Sequence, residues 1–338
     1  MKVLAGDVGG TKTTLGRFRV NGGTLALVSH RTVATGDYPG LDAIVQAFMA
    51  DQRSSVVCAC FGVAAPVVLG RSEPVNLPWV VEAQVLKQTL GGARVWLIND
   101  MEATAYGIEA LPRQAFVVLQ EGQPQPQGAI AVLAAGTSLG EVTLVWDGQR
   151  YRALPSEGGH ADFAPRHATE WELFRALQME YGHVSYARVL SGPGLVRLYR
   201  FLQQRSGGVE PAWLAEQMAS SDPSAVIAEG ALSERSEVCV QALEMFVSVY
   251  GAAAGNLALR SLSRGGVCLG GGIAPKILPK LADGTFLRAF LDKGRLAPLL
   301  STIPVRVIRE ERAALYVAAQ HGWSLATSEG LIRETVRE

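Results

Sequence analysis

The sequence carries no surplus charge of either sign, and that absence removes a class of partner. Lysine plus arginine and aspartate plus glutamate both number 31 in 338 residues. Without a basic field there is no counterion release to gain from nucleic acid, which is therefore not an expected partner. Cysteine is scarce. The four present, Cys58, Cys60, Cys239 and Cys268, lie in apolar runs, and their spacing fits neither a zinc site nor a secreted disulfide framework, so they read as buried reduced thiols. Long apolar runs are missing as well. The nearest to the ~20 residues of a membrane span, residues 247–259, is interrupted by Asn256. Met1 and Lys2 lead directly into the short run Val3-Leu4-Ala5, without the longer apolar core of a signal peptide. What is present, 48% hydrophobic and 18% charged residues, suffices for two packed domains. The expectation is a cytoplasmic globular enzyme with no membrane partner.

The chain reads as alternating strands and helices. Val3-Leu4-Ala5 stops at Asp7-Val8-Gly9-Gly10-Thr11, and alternating stretches over 14–20 and 24–33 follow, which predicts an antiparallel three-stranded meander. Apolar residues at 41, 44, 45, 48 and 49 mark an amphipathic helix. Strands over 56–63 and 94–98 flank a helix near 80–90, the β-α-β order of an open α/β sheet. Residues 122–128 (GQPQPQG) form a loop. The opening pattern then recurs: an apolar run over 128–135, a glycine turn at Gly136-Thr137-Ser138-Leu139-Gly140, a strand over 142–146, and a hairpin through Asp147-Gly148 into 149–154. This recurrence predicts a duplicated architecture. Residues 170–262 are mostly helical and end in a long helix over 234–261. Val267-Cys268-Leu269 enters Gly270-Gly271-Gly272, Ala274-Pro275 starts another helix, and 303–308 is a late strand. A final helix begins near Glu311, and its apolar residues Leu315 and Val317 need a face to cover, which the first lobe could supply. The domains expected are thus a small α/β domain, 1–110 plus about 312–338, and a larger one, 111–311, with a helical insertion.

Three glycine-bearing turns each follow an apolar strand, and glycine lets backbone N–H groups approach a phosphate closely. Gly9-Gly10-Thr11-Lys12-Thr13 is not a Walker A ending, because Thr11 stands where glycine must precede lysine. Nor do Gly270, Gly271 and Gly272 begin a dinucleotide fingerprint, since Pro275 occupies its last position. Asp7, at a strand end beside the first turn, is suited to hold Mg²⁺ through water or to cap its own turn. Thr11 and Thr137 add hydroxyl donors, and Lys12 adds charge. Asn99-Asp100 follows Val95-Trp96-Leu97-Ile98, which puts a carboxylate at the carboxyl end of a strand, where open α/β sheets bind ligands. There Asp100 is either a helix N-cap or a base that accepts a hydroxyl proton. Glu157-Gly158-Gly159-His160 and Glu180 supply short polar groups of the kind a ring of sugar hydroxyls requires. No H-E-x-x-H frame exists among the five histidines, so a zinc centre is not expected.

These segments resemble the bacterial glucokinases that lack the zinc motif of ROK sugar kinases. The likeness runs nearly end to end through Gly6-Asp7-Val8-Gly9-Gly10-Thr11, Leu97-Ile98-Asn99-Asp100, Ala135-Gly136-Thr137, SEGGHADFAPR from Ser156, RVLSGPGLVRLYR from Arg188, and Gly270-Gly271-Gly272-Ile273. It implies an α/β, two-lobed, duplicated RNase H-like fold of the actin/hexokinase type with a ligand cleft between the lobes. It also implies Mg-ATP as donor, glucose 6-phosphate as product, and a homodimer. By the same resemblance Asn99, Asp100, Glu157, His160 and Glu180 bind the sugar, with Asp100 as catalytic base. Asp7, Gly9, Gly10, Thr11, Lys12, Gly136 and Thr137 contact phosphates, Asp7 through the metal, and Gly270, Gly271 and Gly272 contact adenosine. Lys12, Ala134 and Ser138 depart from the family pattern, which has Asn at the first position and commonly glycine at the other two. The alternatives are a kinase for mannose or N-acetylglucosamine, or a non-catalytic sugar sensor.

Overall fold

The computed structural model describes residues 1–21, 24–50, 55–74, 77–99, Glu102, Ile108, Leu111, 113–309 and 313–330. Packing divides the chain into two compact units, residues 1–112 with 310–338 and residues 113–309.

The first unit is built on strands β1 (Lys2–Val8), β2 (Lys12–Asn21), β3 (Thr24–Ala34), β4 (Cys58–Val63) and β8 (Arg94–Asn99), in the order β3-β2-β1-β4-β8. β1, β2 and β3 are antiparallel neighbours, whereas β1, β4 and β8 run parallel. Between β4 and β8 lies a small antiparallel sheet, β5 (Val67–Val68), β6 (Arg71–Ser72) and β7 (Val81–Glu82), which the sequence does not announce because two-residue strands show no periodicity. The alternation of β1 sends Leu4 and Val8 to one face, against Ile44, Val45 and Phe48 of helix α1 (Leu41–Met49) and Leu86 of helix α2 (Ala83–Thr89). Val3 and Ala5 go to the other face, against Leu315, Ala318, Ala319 and Trp323 of the helix Ala313–Ser328. The helix expected from Glu311 onward does cover the first unit's sheet. Cys58 and Cys60 lie beneath it, and burial pushes the Cys58 thiol up to about 12.

The second unit repeats the plan. Strands β10 (Ile130–Ala135), β11 (Leu139–Trp146) and β12 (Tyr151–Ser156) form the antiparallel meander, and β13 (Gly266–Gly270) and β14 (Val305–Ile308) continue parallel to β10. The order β12-β11-β10-β13-β14 matches that of the first unit, with β9 (Phe116–Gln120) added antiparallel at the edge. Two such sheets in one chain constitute the duplicated RNase H-like fold of actin- and hexokinase-type ATPases. Helices α3 (Ala168–Tyr181), α4 (Tyr186–Val189), α5 (Gly192–Ser206), α6 (Ala212–Ser220), α7 (Pro223–Leu232) and α8 (Glu237–Ser261) form the insertion. α8 is long and apolar enough to cross a membrane, but it is the core helix of this unit. Phe246, Val247, Tyr250 and Ala254 are fully buried, and Tyr250 Oη donates to the Leu133 carbonyl of β10 at 3.0 Å. After β13 the chain turns irregularly, and regular helix resumes only at Leu278 rather than at the expected Ala274-Pro275.

Gly322, the single glycine of the helix Ala313–Ser328, faces Cys60, where a Cβ would come within 2.8 Å of the Cys60 Cβ. Alanine there gains about 1 kcal/mol of helix propensity but must push the helix off β4, an overpacking cost of about 1–3 kcal/mol. We expect Gly322→Ala to lower the thermal midpoint by a few degrees, measured by circular dichroism.

Candidate active site

In the first unit the parallel strands end level with one another. Val8 of β1 pairs with Val63 of β4, and Val63 with Asn99 of β8. The first glycine turn and Asn99 therefore share one carboxyl edge, the edge at which such sheets bind ligands. The turn over residues 9–12 is closed by Gly9 N–H donating to Lys12 O at 3.0 Å. It is held from behind by Thr35, a buried residue that sequence reading passed over. Thr35 Oγ1 donates to Gly9 O at 2.8 Å and Thr35 N–H donates to Thr11 O at 3.0 Å, so the Thr13 hydroxyl, 2.9 Å away, must donate to Thr35. No local signal marks Thr35, since its partners lie 22–26 residues earlier. Thr11 and Lys12 are exposed and Gly9 and Gly10 half-buried.

Asp7 lies one residue inside this edge, paired with Gly62 and Thr14. Loss of water raises its carboxyl from the ordinary 3.8 to about 6, and no cation among the described residues offsets that burial. A carboxylate desolvated and without a counter-charge suits a bound cation. Asn99 donates from Nδ2 to Ala65 O at 3.2 Å, and its N–H donates to the Glu102 carboxylate at 3.1 Å. Asp100, the expected base, lies outside the described residues.

In the second unit two glycine turns meet at one edge, because β10 and β13 are parallel and Ala134 pairs with Gly270. The turn at Gly136 is closed by Gly136 N–H donating to Ser138 O at 2.8 Å. Gly271 has a φ of +79°, and a Cβ there would overlap the Ala135 carbonyl, so only glycine fits. Ala134 sits within β10 opposite Gly140, and its methyl is accommodated in the sheet. Ser138 is exposed. Helix α5 abuts the turn, with Gly192 N–H donating to Gly136 O at 2.8 Å and Ser191 capping Gly194 N–H at 3.0 Å. The positive end of its dipole thus lies beside the turn and favours an anion there.

These turns open on a groove of about 820 Å³ lined by Gly136, Thr137 and Gly272. Its walls include Ala176, Val196, Pro223 and Ile273, and its charged groups include Arg197, Arg200 and Lys276. Apolar walls with basic groups at hand suit a purine joined to phosphates. Arg197 is held rigidly, donating from Nε to Tyr181 Oη at 3.1 Å and from Nη1 to Arg188 O at 3.1 Å. Glu180 also lines this groove, whereas Glu157 and His160 do not.

Glu157 and His160 sit together on a separate tight turn. A 3-10 turn, Gly158–His160, follows Glu157, and His160 N–H donates to Glu157 O at 2.9 Å. Both side chains are exposed. The segment is tied to residues 183–186 by Phe163 N–H to Val184 O at 2.9 Å, Tyr186 N–H to Ala161 O at 3.0 Å, and His183 Nε2 against His160 O at 3.0 Å. Tyr186 is itself held by Asn256 Nδ2 of α8 at 3.0 Å.

A duplicated RNase H-like fold, with glycine turns at the carboxyl edge of each sheet and a turn presenting a carboxylate beside an imidazole, defines the sugar kinase class of ATPases. The family model described as glucokinase matches residues 4–323. A curated glucokinase of Nostoc punctiforme is 41% identical over 332 residues, covering 94% of this chain and 97% of the relative. The crystal structure of a glucokinase from an Antarctic psychrotroph is 28% identical with a TM-score of 0.81, covering 96% of this chain and 99% of that one. A ROK family glucokinase from Streptomyces griseus, in complex with glucose and AMPPNP, has the same fold at 20% identity and a TM-score of 0.66, covering 96% and 100%. The chain belongs to the glucokinase family.

Two outcomes are expected. The native state holds the Asp7 proton more tightly than the unfolded state does, so stability falls between about pH 4 and 6 and stays lowered above. At pH 7.5 Asp7→Asn removes a cost of up to about 3 kcal/mol, which raises the thermal midpoint of the ligand-free protein by several degrees. The gain should vanish below pH 4, as a pH series of melting curves will show. Thr35→Val strands the Gly9 carbonyl and the Thr13 hydroxyl at a cost of about 1–3 kcal/mol. It should raise the KM for ATP several-fold in initial-rate assays.

Proposed function

We propose that this chain transfers the γ-phosphate of Mg-ATP to the 6-hydroxyl of glucose. The observation that carries the reading is the meeting of the second and third glycine turns on one groove, beside the start of α5, in a chain of the glucokinase family. ATP would lie in this groove, with the base against its apolar walls and the phosphates toward Gly136, Thr137 and the α5 N-terminus. Asp7 would hold Mg²⁺, which when bound neutralises charge on the phosphates. The backbone N–H groups of the first turn and the hydroxyls of Thr11 and Thr137 add donors for the transferring group.

Asn99, Asp100, Glu157 and His160 would hold the sugar hydroxyls. As the 6-hydroxyl oxygen attacks the γ-phosphorus, Asp100 takes its proton, the bond from that phosphorus to the bridging oxygen breaks, and ADP departs. A positioned base of this kind contributes about 10²–10⁴-fold. Glu180 comes to the sugar set by resemblance and to the groove by position. Its conservative variant separates the two, because a sugar ligand changes the KM for glucose and a groove residue the KM for ATP.

Asp100→Ala should lower kcat by at least 10²-fold while glucose still binds by calorimetry. Full kinase activity in that variant would overturn the mechanism. Initial rates with glucose, mannose and N-acetylglucosamine against ATP, ADP and polyphosphate fix the substrates. The absence of turnover with all of them, alongside glucose binding, would identify a sensor.

A further inference from the structure

Glu141 is a buried acid that the mechanism above does not use. It stands third in β11, opposite Ser156, and its side chain is 3% exposed. Its counter-ion, Arg260 of α8, is half exposed and lies 3.4 and 3.5 Å from the two carboxylate oxygens. That separation is too long for a strong charge-assisted bond. A carboxylate buried against so loose a partner is expensive, and burial pushes its carboxyl up despite Arg260. Ordinary packing would be better served by an apolar side chain.

The carboxylate also lies beneath the turn bearing Glu157 and His160. After Ser156 the chain folds back over Glu141, and a Cβ on Gly158 would overlap the Glu141 carboxylate, with Cδ at 2.8 Å. Gly159 rests in the same way on the Leu139 carbonyl of β11. Gly158 N–H is occupied by Ser156 Oγ at 2.9 Å. The height and tilt of the turn are therefore set by what lies beneath its two glycines, a backbone carbonyl under one and the Glu141 carboxylate under the other.

We infer that Glu141 is a positioning residue for the sugar site: its carboxylate, buried directly beneath Gly158, is the seat that fixes where Glu157 and His160 present their side chains. The inference rests on those two residues being sugar ligands. That reading is tested by Glu157→Gln, which should raise the KM for glucose at least tenfold.

The test of Glu141 is initial-rate kinetics on Glu141→Gln, Glu141→Ala, Gly158→Ala and the Glu141→Ala/Gly158→Ala double variant, each checked for native circular dichroism. Glu141→Gln keeps the volume but puts an NH2 in place of one carboxylate oxygen facing Arg260, and should raise the KM for glucose about three- to tenfold with the KM for ATP within twofold. Gly158→Ala drives a methyl into the carboxylate and should raise the KM for glucose more than tenfold. In the double variant the methyl enters space vacated by the carboxylate, so the KM for glucose should fall below that of Gly158→Ala alone. The positioning role is overturned if Glu141→Gln leaves the KM for glucose unchanged, if both KM values rise together, or if the effects of the two single variants multiply in the double. If instead Glu157→Gln leaves the KM for glucose unchanged, the assignment of the sugar ligands fails, whatever Glu141 does.

Discussion

Three parts of the second unit converge on residues 135–139, and they meet through backbone rather than through long side chains. Gly271 lies on the Ala135 carbonyl, Gly159 lies on the Leu139 carbonyl, and Gly192 donates its N–H to the Gly136 carbonyl between them. The groove beyond β13, the turn that presents Glu157 and His160, and the start of α5 are thus referenced to a single short stretch of chain. Backbone contacts have little freedom to adjust, since no rotamer change can absorb a displacement. The glycines at 159 and 271 are consequences of that crowding. The turn they clamp is the one at Gly136 and Thr137.

Ionisable groups with poor solvation recur around the candidate site. Asp7 is desolvated with no cation beside it among the described residues, and Glu141 has a distant one. The well-satisfied buried acid, Glu170, shows the contrast. It accepts from Arg166 N–H at 2.7 Å and from its Nη2 at 3.0 Å, while the same guanidinium nitrogen reaches Ser248 at 2.7 Å. A pair completed in this way holds the fold. An acid left short of partners holds free energy in reserve for whatever completes it, and sites of function are where such debts are commonly kept.

Much of the fold was legible because its elements are strongly periodic. The stripe of α1 and the repeated strand–turn–strand pattern each arise from local alternation or helical spacing, and the repeat is visible in the matching strand orders of the two sheets. The two-residue strands β5, β6 and β7 were not legible, and neither was β9, an edge strand whose partner β14 lies about 190 residues later. The candidate site divides in the same way. The glycine turns could be read from composition after an apolar run. Thr35 and Glu141 could not, because each acts on a segment distant in sequence or on its far side, and nothing in their neighbours reveals it. Ala134 departs from a family glycine, yet inside β10 its methyl meets no obstacle that the sheet does not accommodate.

The helix Ala313–Ser328 closes the sheet that β1 begins, with Leu315 and Trp323 covering Val3, Ala5 and Phe18. The first unit is therefore interrupted by the whole of the second. During synthesis, residues 113–309 can collapse as a unit soon after they emerge, whereas β1, β2 and β4 must wait with one apolar face uncovered until the helix has left the ribosome. The first unit is in this sense the last to be finished, and in the interval its bare sheet is the surface that a chaperone would need to shield.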